Sequence, residues 1–139
     1  MVRNVWIREL RAPFLLLSFI FVSLGTAIAW THGAFDPFVT FLTLVGVLAL
    51  HMSVNVLNDY FDYRSGIDIM TTPTPFSGGS RILPSKELRP GSVLAAGILF
   101  LIIGGCTGIY FLFRFAFSPL LVAILAITLI SIVGYSHLF

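Results

Sequence analysis

Charged residues are scarce in this chain, with eight Lys and Arg and six Asp and Glu among 139 residues. Together with 58% hydrophobic residues and a mean hydropathy of +1.01, that scarcity excludes an ordinary water-soluble domain. Cysteine is nearly absent. The single Cys106 lies inside an apolar run, which excludes an internal disulfide and a cysteine-based zinc site. No alternating strand pattern recurs, so the spanning structure open to this composition is the helix. A basic surface that would argue for nucleic acid is also missing, because membrane topology already explains where the cations lie.

What the chain has instead is four charge-free runs, over 12–35, 37–58, 91–113 and 115–139. Each reaches the roughly 20 residues that a helix needs to cross a bilayer. The expectation is an all-α membrane protein with four transmembrane helices at about 12–33, 37–65, 91–113 and 118–137. A cytoplasmic loop over 66–90 joins the second helix to the third. The first run has features of a cleaved signal, since arginines precede it and Ala27-Ile28-Ala29 resembles a cleavage site. Its apolar core is longer than a usual signal core, and three comparable runs follow it. Arg3, Arg8, Arg11, Arg64, Arg81, Lys86 and Arg89 fall on one side of the spans, against Arg114 on the other. The positive-inside rule then places both termini and the long loop in the cytoplasm, with the lipid bilayer as the first partner.

Three of the six acidic residues are packed into Asn55-Val-Leu-Asn58-Asp59-Tyr-Phe-Asp62-Tyr-Arg64-Ser-Gly66-Ile-Asp68, where the second helix meets the membrane surface. At about 100° per residue, Asn55, Asn58, Asp59 and Asp62 share an arc of roughly 100°, and His51 falls on the same side one turn earlier. Carboxylates at a bilayer are expensive and mark function. Close carboxylates repel unless a cation lies between them, and Asp and Asn oxygens suit Mg²⁺ shared with a substrate phosphate. Gly66 is expected to end the helix, which would let Asp68 fold back towards Asp59 and Asp62.

Within the loop, Phe76-Ser-Gly78-Gly79-Ser80-Arg81-Ile-Leu-Pro84-Ser-Lys86 pairs glycines with donors. Backbone N–H groups at such glycines can form an anion nest, and Arg81 can grip a phosphate through two hydrogen bonds. The plainer reading is a flexible loop whose cations only set topology. In the third run, Gly104 and Gly108 have the small-xxx-small spacing that permits close helix packing.

The string Asn58-Asp59-Tyr-Phe-Asp62, near the end of a second span, resembles the first aspartate-rich motif of the UbiA superfamily of intramembrane prenyltransferases. Continued through Gly66-Ile-Asp68 and Gly78-Gly79-Ser80-Arg81, it most resembles the menaquinone branch, whose members prenylate 1,4-dihydroxy-2-naphthoate. Many members of the superfamily carry the last aspartate four residues after the second, where this chain has Gly66. The resemblance implies a bundle of about nine helices, of which four make up about half. It also implies a polyprenyl diphosphate donor, an aromatic acceptor, Mg²⁺ and the cytoplasmic membrane of a prokaryote. Carried onto this chain, Asp59 and Asp62 are catalytic and, with Asn58 and Asp68, hold the metal. Asn55, Asn58, Arg64, Ser80, Arg81 and Lys86 bind diphosphate, and His51 and Tyr135 line the substrate pocket. Tyr135 resembles a tyrosine that precedes a lysine in the family's next loop, and Phe139 stands where that lysine is expected. The chain is accordingly expected to be an amino-terminal fragment, inactive alone and lacking the carboxy-terminal helices.

Two rivals remain. A CDP-alcohol phosphotransferase also has spaced aspartates, but its pattern continues Asp-Gly and Ala-Arg, whereas Asp62 is followed by Tyr63-Arg64-Ser65. A non-catalytic membrane subunit or transporter fragment would use the aspartates as structural partners for arginines.

Overall fold

The computed structural model describes residues 5–70 and 80–138, and all regular structure among them is helical. In order the elements are α1 (Val5–Glu9), α2 (Ala12–Thr31), α3 (Pro37–Ser65), α4 (Ile67–Met70), α5 (Pro90–Arg114) and α6 (Pro119–Leu138). Helices α2, α3 and α5 are long and apolar enough to cross a membrane. In α6 the described apolar stretch, Pro119–Ile132, is shorter than that. Among the described residues three of the four expected spans are thus long and apolar enough to cross, and α6 is a further apolar helix.

Local chemistry sets the helix ends. Pro37, Pro90 and Pro119 open α3, α5 and α6, where the missing N–H costs nothing and the fixed φ suits the first turn. Asp36 caps α3 by accepting from the N–H groups of Phe38 (2.9 Å) and Val39 (3.1 Å). At the other end, Gly66 adopts φ +81°, in the left-handed region open to glycine, and its N–H returns to the Tyr63 carbonyl. That reversal starts α4, a single turn that tucks Asp68 inward to 3% exposure.

Helix α3 is the central element, packed against α1, α2, α4, α5 and α6. Its closest neighbour is α5, because glycine lets the two backbones approach. A β-carbon on Gly97 would meet Leu57 at 2.6 Å, and one on Gly104 would meet Leu50 at 2.5 Å. Gly108 serves the opposite side of α5, where Leu125 of α6 fills its space. The glycine spacing of the third run thus brings α5 against two partners rather than one.

The buried core gathers at the motif end of the bundle. Val56, Leu83 and Val93 are enclosed, with Leu10, Tyr60, Tyr63, Leu88 and Ala96 packed around them. Residues 80–88 are drawn in by this core and by tight turns such as Glu87 N–H to the Ile82 carbonyl (3.0 Å). Arg8 also pairs with Glu87 at 2.9 Å, but both side chains are open to solvent. An exposed pair contributes about 0–1 kcal/mol, whereas each buried Val, Leu or Ile contributes roughly 1.5–3 kcal/mol. Packing, rather than the ion pair, seats this segment on α3.

Candidate functional site

The α3 face bearing the motif looks onto the turn between α1 and α2 and onto the start of residues 80–88. Arg11, the residue before α2, adopts φ +51° and directs its guanidinium onto Oδ1 of Asp59. Asp59 is 1% exposed, and its Oδ2 accepts the Ser80 N–H at 3.0 Å. Both oxygens of this carboxylate are thus engaged, one by a cation and one by the backbone of the loop. The Ser80 hydroxyl donates to Oε2 of Glu9 at 2.8 Å and accepts the Ile82 N–H at 3.2 Å. One turn along α3 from Asn58, Asp62 accepts from Asn58 Nδ2 at 2.6 Å.

Asp68 joins this group from α4. Burial first, then the charges of Asp59 and Asp62, push its carboxyl up to about 6, against the pull of Arg81 and Arg11. Glu9 is fully enclosed, and burial followed by the charge of Asp59 pushes it up to about 7. The Ser80 hydrogen bond and Arg11 act in the opposite direction without cancelling that cost. Its second oxygen, Oε1, is buried with no hydrogen-bond partner.

Glu9, Asp59, Asp62 and Asp68 therefore share one neighbourhood with the cations Arg11 and Arg81, and with all four acids ionised two negative charges are in excess. No three His, Cys, Asp or Glu side chains among the described residues are gathered closely enough to hold a metal ion. In donor type the group nevertheless fits a hard divalent cation, since every charged donor is a carboxylate oxygen and the excess charge matches.

The other residues named from the sequence divide clearly. Asn55 donates its amide to the Leu10 carbonyl at 3.0 Å, tying α3 to the turn before α2. Arg64 is exposed and reaches only the Tyr60 hydroxyl, at 3.4 Å. Lys86 is exposed at φ +59°, and neither cation is among the charges acting on Glu9 or Asp68. His51 bonds through Nδ1 to the Ser18 hydroxyl at 2.7 Å and lines a cavity of about 370 Å³ with Pro13, Phe14, Leu16, Leu17 and Ile20. Apart from His51, its lining comes from the first turns of α2. Gly78, Gly79 and the side chain of Tyr135 lie outside the described residues.

Two members of the group, Glu9 and Arg11, were invisible as site residues in the sequence reading. Arg11 had a sufficient role as a topology charge. Glu9 carried one usable signal: it is the only acidic residue among the arginines that precede the first apolar run, where a purely topological flank has no need of one.

Comparison with known proteins identifies the family. The model of the UbiA prenyltransferase family matches residues 16–139. The chain is 30% identical over 97 residues to 1,4-dihydroxy-2-naphthoate octaprenyltransferase of Escherichia coli (strain K12), covering 69% of this chain and 32% of that protein. It is 36% identical over 86 residues to UbiA prenyltransferase domain-containing protein 1 of Homo sapiens, covering 61% of this chain and 23% of the relative. The Xenopus tropicalis protein of the same name is 37% identical over 90 residues, covering 64% and 24%. The matched region thus spans about a third of the bacterial relative and about a quarter of the vertebrate ones. No solved structure matches with significance. A helical chain with spanning helices, and a family model matched along nearly its whole length, lead to one conclusion: this protein belongs to the UbiA prenyltransferase family.

Proposed function

We propose that this chain forms the donor-diphosphate half of an enzyme that transfers a polyprenyl group from an allylic polyprenyl diphosphate to an aromatic acceptor, 1,4-dihydroxy-2-naphthoate in menaquinone biosynthesis. The observation that carries the reading is the buried carboxylate group at the end of α3, bordered by Arg11 and Ser80. Mg²⁺ would be held by Asp59, Asp62 and Asp68, and when bound it neutralises charge on the diphosphate. The E. coli relative's name supports the acceptor, and the excess negative charge of the group supports the cation.

The chain's own residues then have distinct tasks. Asn58 holds Asp62 in orientation through its amide. The Ser80 N–H holds Asp59 in place, and the guanidinium groups of Arg11 and Arg81 supply donors for phosphate oxygens, which act where charge develops. Arg64 and Lys86 attract the anion from the rim. As the C–O bond breaks, its electron pair leaves with diphosphate, a carbon of the electron-rich ring bonds to the allylic carbon, and that ring carbon releases its substituent, a proton or the carboxylate as CO₂, as the ring regains aromaticity. The apolar side chains below Arg11 keep water from that electron-poor carbon. His51, steadied by Ser18, and Tyr135 line the pocket for the prenyl or aromatic group.

In this reading α6 is a fourth span, both termini and the 66–90 loop face the cytoplasm of a prokaryote, and further helices close the cavity. The small share of each relative that the chain covers supports the last point, and the 139 residues alone are expected to be inactive. A second reading rests on the Arg11–Asp59 ion pair, which would also serve a non-catalytic membrane subunit with structural charge pairs. The test is to place Asp59→Asn and Asp62→Asn in the protein with the whole of its reading frame. Each is expected to lower Mg²⁺-dependent prenyl transfer by at least about 10²-fold at unchanged protein level, the scale of losing one electrostatic donor at a reacting centre. Turnover close to wild type in both variants rejects the enzymatic role.

A further inference from the structure

The loose end of the site is Glu9. A wholly enclosed carboxylate is a costly thing to build at a membrane surface, and it persists where a partner stabilises its charge. The Ser80 hydroxyl satisfies Oε2, yet Oε1 is buried and meets no donor. Neither arginine of the same segment pairs with it, because Arg11 is engaged by Asp59 and Arg8 by Glu87. Position supplies the remaining clue. Ser80 bridges the two carboxylates, giving its N–H to Asp59 and its hydroxyl to Glu9, so both acids border the same short stretch of chain. That bridge through one serine is what links Glu9 to the motif.

We propose that Glu9 is a further acidic residue of the cation site, contributed by the helix before the first span and held there by Ser80. The inference rests on the reading that the motif aspartates bind a divalent cation, and it assigns to that cation a carboxylate from outside the motif. It explains three features together: the burial of Glu9, its unpartnered oxygen, and the folding of residues 80–88 over α1. Donor chemistry allows it, since a hard divalent cation takes several carboxylate and hydroxyl oxygens and tolerates contacts made through water. It also implies that cation binding draws α1, α3 and α4 together with residues 80–88, coupling the segment before the bilayer to the motif.

The experiment is Mn²⁺ binding, followed by electron paramagnetic resonance, to the protein with the whole of its reading frame in nanodiscs. Glu9→Gln keeps the shape and an acceptor for Ser80 while removing the charge, and Glu9→Ala removes both. Each is expected to weaken Mn²⁺ binding about 10–100-fold, the range for losing a supporting group of a metal centre. Glu87→Gln, which touches only the exposed Arg8, is expected to bind as wild type does. Wild-type affinity in Glu9→Gln alongside lost affinity in Asp59→Asn overturns the role of Glu9 and leaves the motif site standing. A wild-type protein that binds no Mn²⁺ overturns both.

Discussion

Glu9→Gln makes a prediction about stability that needs no turnover. In the folded protein the Glu9 carboxyl stands at about 7 instead of its usual 4.5, chiefly because it is buried and then because Asp59 is near. Between those two values the native state keeps a proton that the unfolded chain has released. The slope of unfolding free energy with pH is therefore negative: Glu9 costs no stability below about 4.5, and its cost grows until it is complete above about 7. At about 1.4 kcal/mol for each tenfold change in proton affinity, the full cost is about 3 kcal/mol. Glutamine has nearly the same shape, can accept from Ser80, and carries no charge to desolvate. In the presence of a chelator, Glu9→Gln should melt roughly 5–10 °C above wild type at about pH 8 and close to wild type at about pH 5. Trp6, on the same short helix, offers a fluorescence readout of the transition. A variant that gains equally at both pH values, or that loses stability at the higher one, refutes the argument. The same substitution should weaken cation binding, so stability and function are opposed at this residue.

Other outcomes follow from the packing and the charge pattern. Gly97→Ala should destabilise the protein by about 1–3 kcal/mol in thermal unfolding, because its β-carbon would meet Leu57 at 2.6 Å, whereas Gly105→Ala, with nothing within 4 Å, should be neutral or stabilising. In a Cys106→Ala background, an impermeant maleimide added outside intact cells should label Ala116→Cys and miss Ser85→Cys. The reverse pattern would invert the orientation drawn from the seven basic residues on one side.

Much of the architecture was legible because it depends on short-range chemistry. Runs without charge reported the helices, and Gly66 marked the reversal after Ser65, since only a left-handed residue turns the chain there so tightly. The arc shared by Asn58, Asp59 and Asp62 could be read off one helix, because spacing within a helix determines its faces. The roles of Asn55, Arg64 and Lys86 could not. Whether an amide reaches a phosphate or the Leu10 carbonyl depends on which backbone lies opposite, and pattern within α3 carries no record of that.

By itself the sequence determined that this is a helical membrane protein with an acidic motif at one helix end, because hydropathy and periodicity are properties of neighbouring residues. Only the tertiary structure decided that Arg11 meets Asp59, that Ser80 bridges Asp59 and Glu9, and that Asp68 turns inward beside them. Those contacts join residues up to 71 positions apart. They depend on how α1, α3 and residues 80–88 pack around Val56, Leu83 and Val93, a distance relation that no local pattern encodes.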